Sequence, residues 1–284
     1  MSDNIDRFES IFRRTERERF TYVDVPIESI AIVTDQDQAA AEATQTVLLE
    51  VLPRLETVDS FRFITGDQYS TVSELKEKVD AERTDLIVTY RHLHEEETLP
   101  QHSLGVYLDV LTQTTSIPVL VLPGTAKAPT PVRGREADRV MVVADHISGD
   151  ARLINYGVRV CRNGGTIWFC HVEDDKTFHR YMHAIERIPE IDTTAAKELL
   201  EEQLLREATM FIEDCVTELK EKGPRLSFQS VVRMGHHLKR YRELVEENEI
   251  ELLVINTKDD DQLAMHGMAY SLSVEMTEVP LLLL

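Results

Sequence analysis

The segment that most limits what this chain can fold into is PLLLL, Pro280 to Leu284. Four consecutive leucines left in water forgo roughly 1.5–3 kcal/mol each relative to burial, so another part of the protein has to cover them. The middle of the chain holds a matching piece. Aligning Pro118 of SIPVLVLP with Pro280 puts a glycine thirteen residues upstream of both prolines, at Gly105 and Gly267. Each glycine precedes a helical apolar pattern, and each proline opens an apolar run of strand length. The end of the chain repeats its middle.

The rest of the sequence falls into the same two-fold pattern. Before Gly105 come the strand IESIAIVTD ending in Asp35, a helix over Ala39–Glu56, the strand SFRFITG ending in Gly66, a helix opened by a Thr71/Glu74 capping box, and the strand DLIVTY. Before Gly267 come RVMVVAD ending in Asp145, a helix within 149–162, the strand TIWFCHV, a long helix over about Ala196–Lys222, LSFQSVVRMG ending in Gly235, a helix, and ELLVINT. Near-continuous apolar strands alternating with helices predict parallel sheet covered on both faces. The expected organisation is an N-terminal helical arm over 1–25, a first unit over 26–124, an exposed Pro- and Gly-rich linker over 125–137, and a second unit over 138–284. In the arm, Phe8, Ile11 and Phe12 stand at helical spacing.

Charge and composition exclude several classes. Fifty-one acidic against thirty-one basic residues give a formal net charge of −20, which repels a nucleic-acid backbone. The most basic stretch, RRTERER from Arg13 to Arg19, interleaves its arginines with glutamates and reads as a solvated helix. No apolar run approaches the ~20 residues of a membrane helix, so no membrane insertion is expected. The charged N-terminus lacks the apolar core of a signal peptide. Cys161, Cys170 and Cys215 have no metal-ligand or disulfide-framework spacing. A cytoplasmic location is the expectation.

The paired elements resemble the universal stress proteins, with Asp35 matching Asp145, Gly66 matching Gly235, Asp85–Val88 matching Glu251–Val254, and Gly105/Pro118 matching Gly267/Pro280. The resemblance implies an α/β fold of two tandem doubly wound parallel-sheet domains, adenine-nucleotide α-hydrolase-like, with strand order 3-2-1-4-5. The first repeat is shorter by one strand–helix unit, which would set its third strand beside its first. Family members commonly pair through their last strands, so a chain carrying two copies would form an intramolecular pseudo-dimer with VLVLP antiparallel to PLLLL. A further homodimer is compatible with this.

Many members of that family hold ATP beyond the strand C-termini, where the order reverses. The residues carried over onto that crevice in the second repeat are Asp145, Val172, Gly235 and Gly267. The family fingerprint resembles G-x2-G-x9-G-[ST], and here little of it remains. The loop before Gly105 carries three glutamates and is followed by Val106; the loop before Gly267 carries Asp259, Asp260 and Asp261 and is followed by Met268. Carboxylates facing a triphosphate repel it strongly once water is excluded. The sites are therefore read as vestigial, with no cofactor expected and ATP in the second repeat as the alternative. Asp35 and Asp145 are either the family's acid near the adenosine or acids that cap the loop after a strand. The function so implied is that of a non-enzymatic stress-response regulator or scaffold with an unknown protein partner; the alternative is an adenine-nucleotide sensor.

Other constellations carry less. His179 and His183 share a helix face but lack a third zinc ligand, and read as a solvated pair. His92 and His94 beside glutamates offer a metal patch or simply a loop, and His236 and His237 a crevice wall or a helix start. Cys170, on an apolar strand, is expected to be buried and inert. Nucleophile-elbow and phosphate-loop motifs are absent.

Overall fold

The computed structural model describes residues 20–95, 103–132, 136–143, 151–188, 191–257, 265 and 267–284. Among them nine strands form a single sheet: β1 (Ser29–Val33), β2 (Ser60–Ile64), β3 (Leu86–Arg91), β4 (Val119–Thr125), β5 (Arg139–Val143), β6 (Thr166–Asp174), β7 (Ser227–Gly235), β8 (Leu252–Ile255) and β9 (Leu281–Leu283). The helices are α1 (Gln38–Val51), α2 (Val72–Asp80), α3 (Val106–Thr114), α4 (Ala151–Val160), α5 (Asp175–Ile185), α6 (Thr193–Lys222), α7 (His237–Glu247) and α8 (Gly267–Glu275). The strand order is β2-β1-β3-β4-β9-β8-β5-β6-β7. Its second half is the 3-2-1-4-5 order, and its first half is that order with one strand missing, so β2 pairs directly with β1.

The halves join through β4 and β9, the one antiparallel pair among these strands, with Val119 opposite Leu283, Leu120 opposite Leu282 and Val121 opposite Leu281. This register obeys a pseudo-two-fold axis. If Pro118 corresponds to Pro280, then Leu120 corresponds to Leu282, and the axis runs through that pair while exchanging the other two. The leucines of β9 are buried, as is the facing edge of β4. An apolar edge strand left open would recruit other chains, and here each half covers the edge of the other.

Local anchoring repeats as well. The Asp85 carboxylate accepts hydrogen bonds from the backbone N–H groups of Glu28 and Ser29, at 2.9 and 3.0 Å. Glu251 does the same for Asp138 and Arg139, both at 2.9 Å. In each half an acid at the start of the fourth strand of the pattern thus fixes the start of the first, through bonds strengthened by the carboxylate charge. One core on each face of the sheet contains residues of both halves. Buried Arg91 crosses the seam to donate from Nη2 to the carbonyl of Met276 at 3.0 Å, offsetting the negative end of α8. Burial lowers its pKa to about 10, and its Nε and Nη1 have no hydrogen-bond partner among the described residues.

Several expectations are corrected. The predicted strand TIWFCHV runs on to Asp174, because β7 pairs with it residue for residue as far as Gly235. The single long helix expected between these strands is preceded by another, α5, so the connection is a helical hairpin. Most of the expected N-terminal arm lies outside the described residues, and its described part, 20–25, is not helical. It runs over the second half instead: Phe20 joins the core, and the N–H groups of Tyr22 and Val23 donate to Glu218 and Asn155. The expected linker is exposed over 127–131, but β4 extends into it to Thr125, and Ala137 is buried with its N–H on the Val51 carbonyl.

Deleting Pro280–Leu284 opens the edges of β4 and β8 together. The expected outcome is aggregation on light scattering and loss of the cooperative thermal transition. A soluble variant with the wild-type melting temperature would contradict the seam.

Candidate functional site

In the first half the strand-end crevice lies beyond β1 and β3, and it is built by two tight backbone approaches and a loop at positive φ. Gly66 follows β2 against β1, where an added Cβ would come within 2.2 Å of the Asp35 carbonyl oxygen. Gly105 has φ +88 and would bring a Cβ to 2.9 Å from both the Glu95 carboxylate and the His92 Cα. Between them the loop after β3 turns through His92 and His94, both at positive φ, and buries Leu93. These distortions bring the acid of the loop back onto the start of α3.

That acid is Glu95. Its Oε1 accepts from the Val106 N–H at 2.6 Å, and its Oε2 lies 2.8 Å from His92 Nδ1. Val106 is the first residue of α3, so a carboxylate already occupies the positive helix end that an anionic ligand would use. Asp109 stands in the same first turn. Burial, and next the Glu95 charge, raise its carboxyl above the usual range. A phosphate added here would meet two acids and no free helix terminus.

The remaining space is filled by side chains. Tyr69, His94 and Tyr107 form an aromatic cluster with ring centroids 4.7–5.7 Å apart. Tyr69 donates to the Thr34 carbonyl, and Tyr107 to that of Ser70. Burial pushes the Tyr69 hydroxyl well above its ordinary range, with the Asp35 charge adding to it. The Asp35 carboxylate accepts from the His94 N–H at 3.2 Å, in the loop after β3 rather than in the loop that follows its own strand. His92 is half-buried against Glu95, and His94 is exposed at the edge of the aromatic cluster.

Of the four predicted site residues in the second half, three lie among the described residues. Asp145 lies outside the described residues, as do Asp259, Asp260 and Asp261. Val172 stands within β6 opposite Arg233 rather than after the strand, because β6 and β7 outrun their neighbours. Its buried N–H donates to the Tyr241 hydroxyl of α7 at 3.1 Å. Gly235 ends β7, two strands away from β5, and an added Cβ there would touch the flexible Arg240 side chain at 3.0 Å. Gly267 opens α8 with nothing within 4 Å of an added Cβ.

No group of three or more His, Cys, Asp or Glu side chains that could hold a metal ion occurs among the described residues. His179 and His183 are exposed, with His183 3.6 Å from Glu186. His236 precedes α7 without capping it and lies 3.3 Å from Lys176 Nζ. Burial pushes the Cys170 thiol up to about 12, which suppresses the reactive thiolate.

Two features of the site escaped the sequence reading. Glu95 belongs to a run of three glutamates whose only legible property was repulsion. Tyr241 was one apolar residue on a helix, with nothing to mark its hydroxyl.

Comparison with known proteins places this geometry in a fold. No family model matches the chain, and no curated protein matches it. A functionally unknown protein from Pseudomonas aeruginosa PAO1 shares 15% identity over 91% of this chain and 92% of its own, with a TM-score of 0.52. A protein assigned as a universal stress protein, from Pseudomonas aeruginosa UCBPP-PA14, shares 15% over 91% and 93%, also at 0.52. A universal stress protein from Archaeoglobus fulgidus DSM 4304 shares 14% over 91% and 98%, at 0.49. At such identity the likeness is one of fold: this chain has the universal stress protein fold. Among the described residues no helix is long and apolar enough to cross a membrane.

Glu95→Ala leaves the Val106 N–H and the His92 ring without their acceptor. The expected loss of stability is about 0.5–2 kcal/mol, the range for removing a helix cap. Glu95→Gln retains an acceptor oxygen and should lose less. Equal denaturant midpoints for wild type and Glu95→Ala would contradict the plug.

Proposed function

We propose that the chain is a stress-response regulator or scaffold of the universal stress protein type, working in the cytoplasm through contacts with another protein and performing no chemical step of its own. The observation that carries this reading is the Glu95 carboxylate seated on the start of α3. A nucleotide site built on this fold needs that helix end for a phosphate, and here the protein supplies the anion itself. The second half supports the same reading through the Val172 N–H, which is satisfied by Tyr241. Three consecutive aspartates in the segment before Gly267 add repulsion for a triphosphate.

One observation favours a second reading, an adenine-nucleotide sensor. The second half keeps the full strand complement of the fold, including the reversal of order between β5 and β8. Denaturing extraction of the purified protein, followed by calorimetry with Mg-ATP, separates the two. The expected result is no co-purifying nucleotide and no saturable heat up to about 1 mM ATP, the limit of roughly 4 kcal/mol of binding energy. Micromolar binding would replace the regulator reading with the sensor.

A further inference from the structure

A cavity of about 450 Å³ lies where three segments lead into strands: residues 24–28 before β1, Thr57 before β2 and Asn163 before β6. Two half-buried arginines line it, Arg54 from the helical turn Pro53–Leu55 and Arg159 from the last turn of α4. Both halves of the chain therefore wall it. It sits at strand starts rather than at the strand ends, where Glu95 is found.

Backbone carbonyls hold each guanidinium in place. Arg54 Nη1 donates to the carbonyls of Val158 and Cys161 at 2.8 and 3.3 Å, at the negative end of α4. Arg159 donates from Nε to the Val25 carbonyl at 3.1 Å and from Nη1 to the Arg54 carbonyl at 3.4 Å. Nη2 of both arginines has no acceptor among the described residues, and no carboxylate there forms an ion pair with either. The two charges act on each other: burial, and next the Arg54 charge, lower the Arg159 pKa. Two acids also line the cavity. Arg83 holds Glu28 at 2.7 Å. Asp24 is exposed, and its charge offsets only part of the effect on Arg159. With Asp24 counted against it, the arginine pair keeps one unbalanced positive charge.

We infer that this cavity binds the phosphate group of a small molecule, gripped between Arg54 and Arg159. A tetrahedral oxyanion offers several acceptors to the planar fork of donors on each guanidinium, and its double charge suits a pair of them. The carbonyl contacts fix both side chains in advance, which lowers the entropy lost on binding. The Thr57 hydroxyl and the Asn163 amide stand on the same wall, and Val25 offers an apolar surface to an organic group beyond the phosphate. The site is separate from the strand-end crevices, so it stands whether or not the second half takes a nucleotide.

Isothermal titration calorimetry of the full chain tests this with inorganic phosphate and with glycerol 3-phosphate, at ionic strength held constant with chloride. Wild type is expected to give saturable heat with both, and the tighter of the two identifies free phosphate or a monoester as the ligand. Arg54→Gln and Arg159→Gln should each weaken binding by about tenfold or more, the scale of one charge-assisted hydrogen bond, with circular dichroism confirming the fold. Asp24→Lys, at an exposed position, exchanges a repelling charge for an attracting one and should tighten binding severalfold. That variant keeps the test decisive if an arginine variant fails to fold. Absence of saturable heat in wild type would overturn the inference. So would binding that survives both arginine substitutions, or binding that Asp24→Lys leaves unchanged.

Discussion

The antiparallel contact of β4 with β9 is what the remaining structure depends on. Each half alone would end in an apolar strand with an open edge, and the nearest cover of matching shape is the same strand of the other half. Because the register centres on Leu120 and Leu282, neither half can slide without moving buried side chains to the wrong face. The joined sheet then lets both cores run across the seam. Arg91 reaches the end of α8, Arg54 reaches the carbonyl of Val158 at 2.8 Å, and the segment from Phe20 lies on the second half.

A sheet of this kind carries two strand-end crevices, and the chain has spent each differently. In the first half the missing strand–helix unit narrows the sheet, and the loop after β3 folds back so that Glu95 and the aromatic cluster fill what remains. In the second half β6 and β7 grow past their neighbours, and their extra length leads into the α5–α6 hairpin. The material that could have walled a ligand site in one half has been lost. In the other the sheet continues into the two helices α5 and α6.

The large-scale organisation was legible because it rests on hydrophobic periodicity and punctuation. Gly105/Pro118 against Gly267/Pro280 was enough to reveal the repeat; the family resemblance it supported supplied the seam and its direction and, with the short interval before SFRFITG, β2 beside β1. The pairing of Asp85 with Glu251 turned out to have a mechanism, a carboxylate holding the start of the neighbouring strand. What stayed hidden depended on tertiary geometry. Whether Val172 ends a strand is decided by β7 across from it, and the role of Glu95 by where two left-handed histidines send the loop. The path of residues 20–25 depends on Glu218 and Asn155, far away in the chain. Local pattern carries none of this.

If the β4–β9 pairing holds the two halves as one cooperative body, their amides should be protected as one. Native-state hydrogen exchange across a denaturant series measures this directly. The account predicts that amides of β4 and β9 exchange only through global unfolding, converging on the same free energy as those of β1 and β5. Exchange of β4 and β9 well below that energy, with separate unfolding isotherms for the two halves, would contradict it.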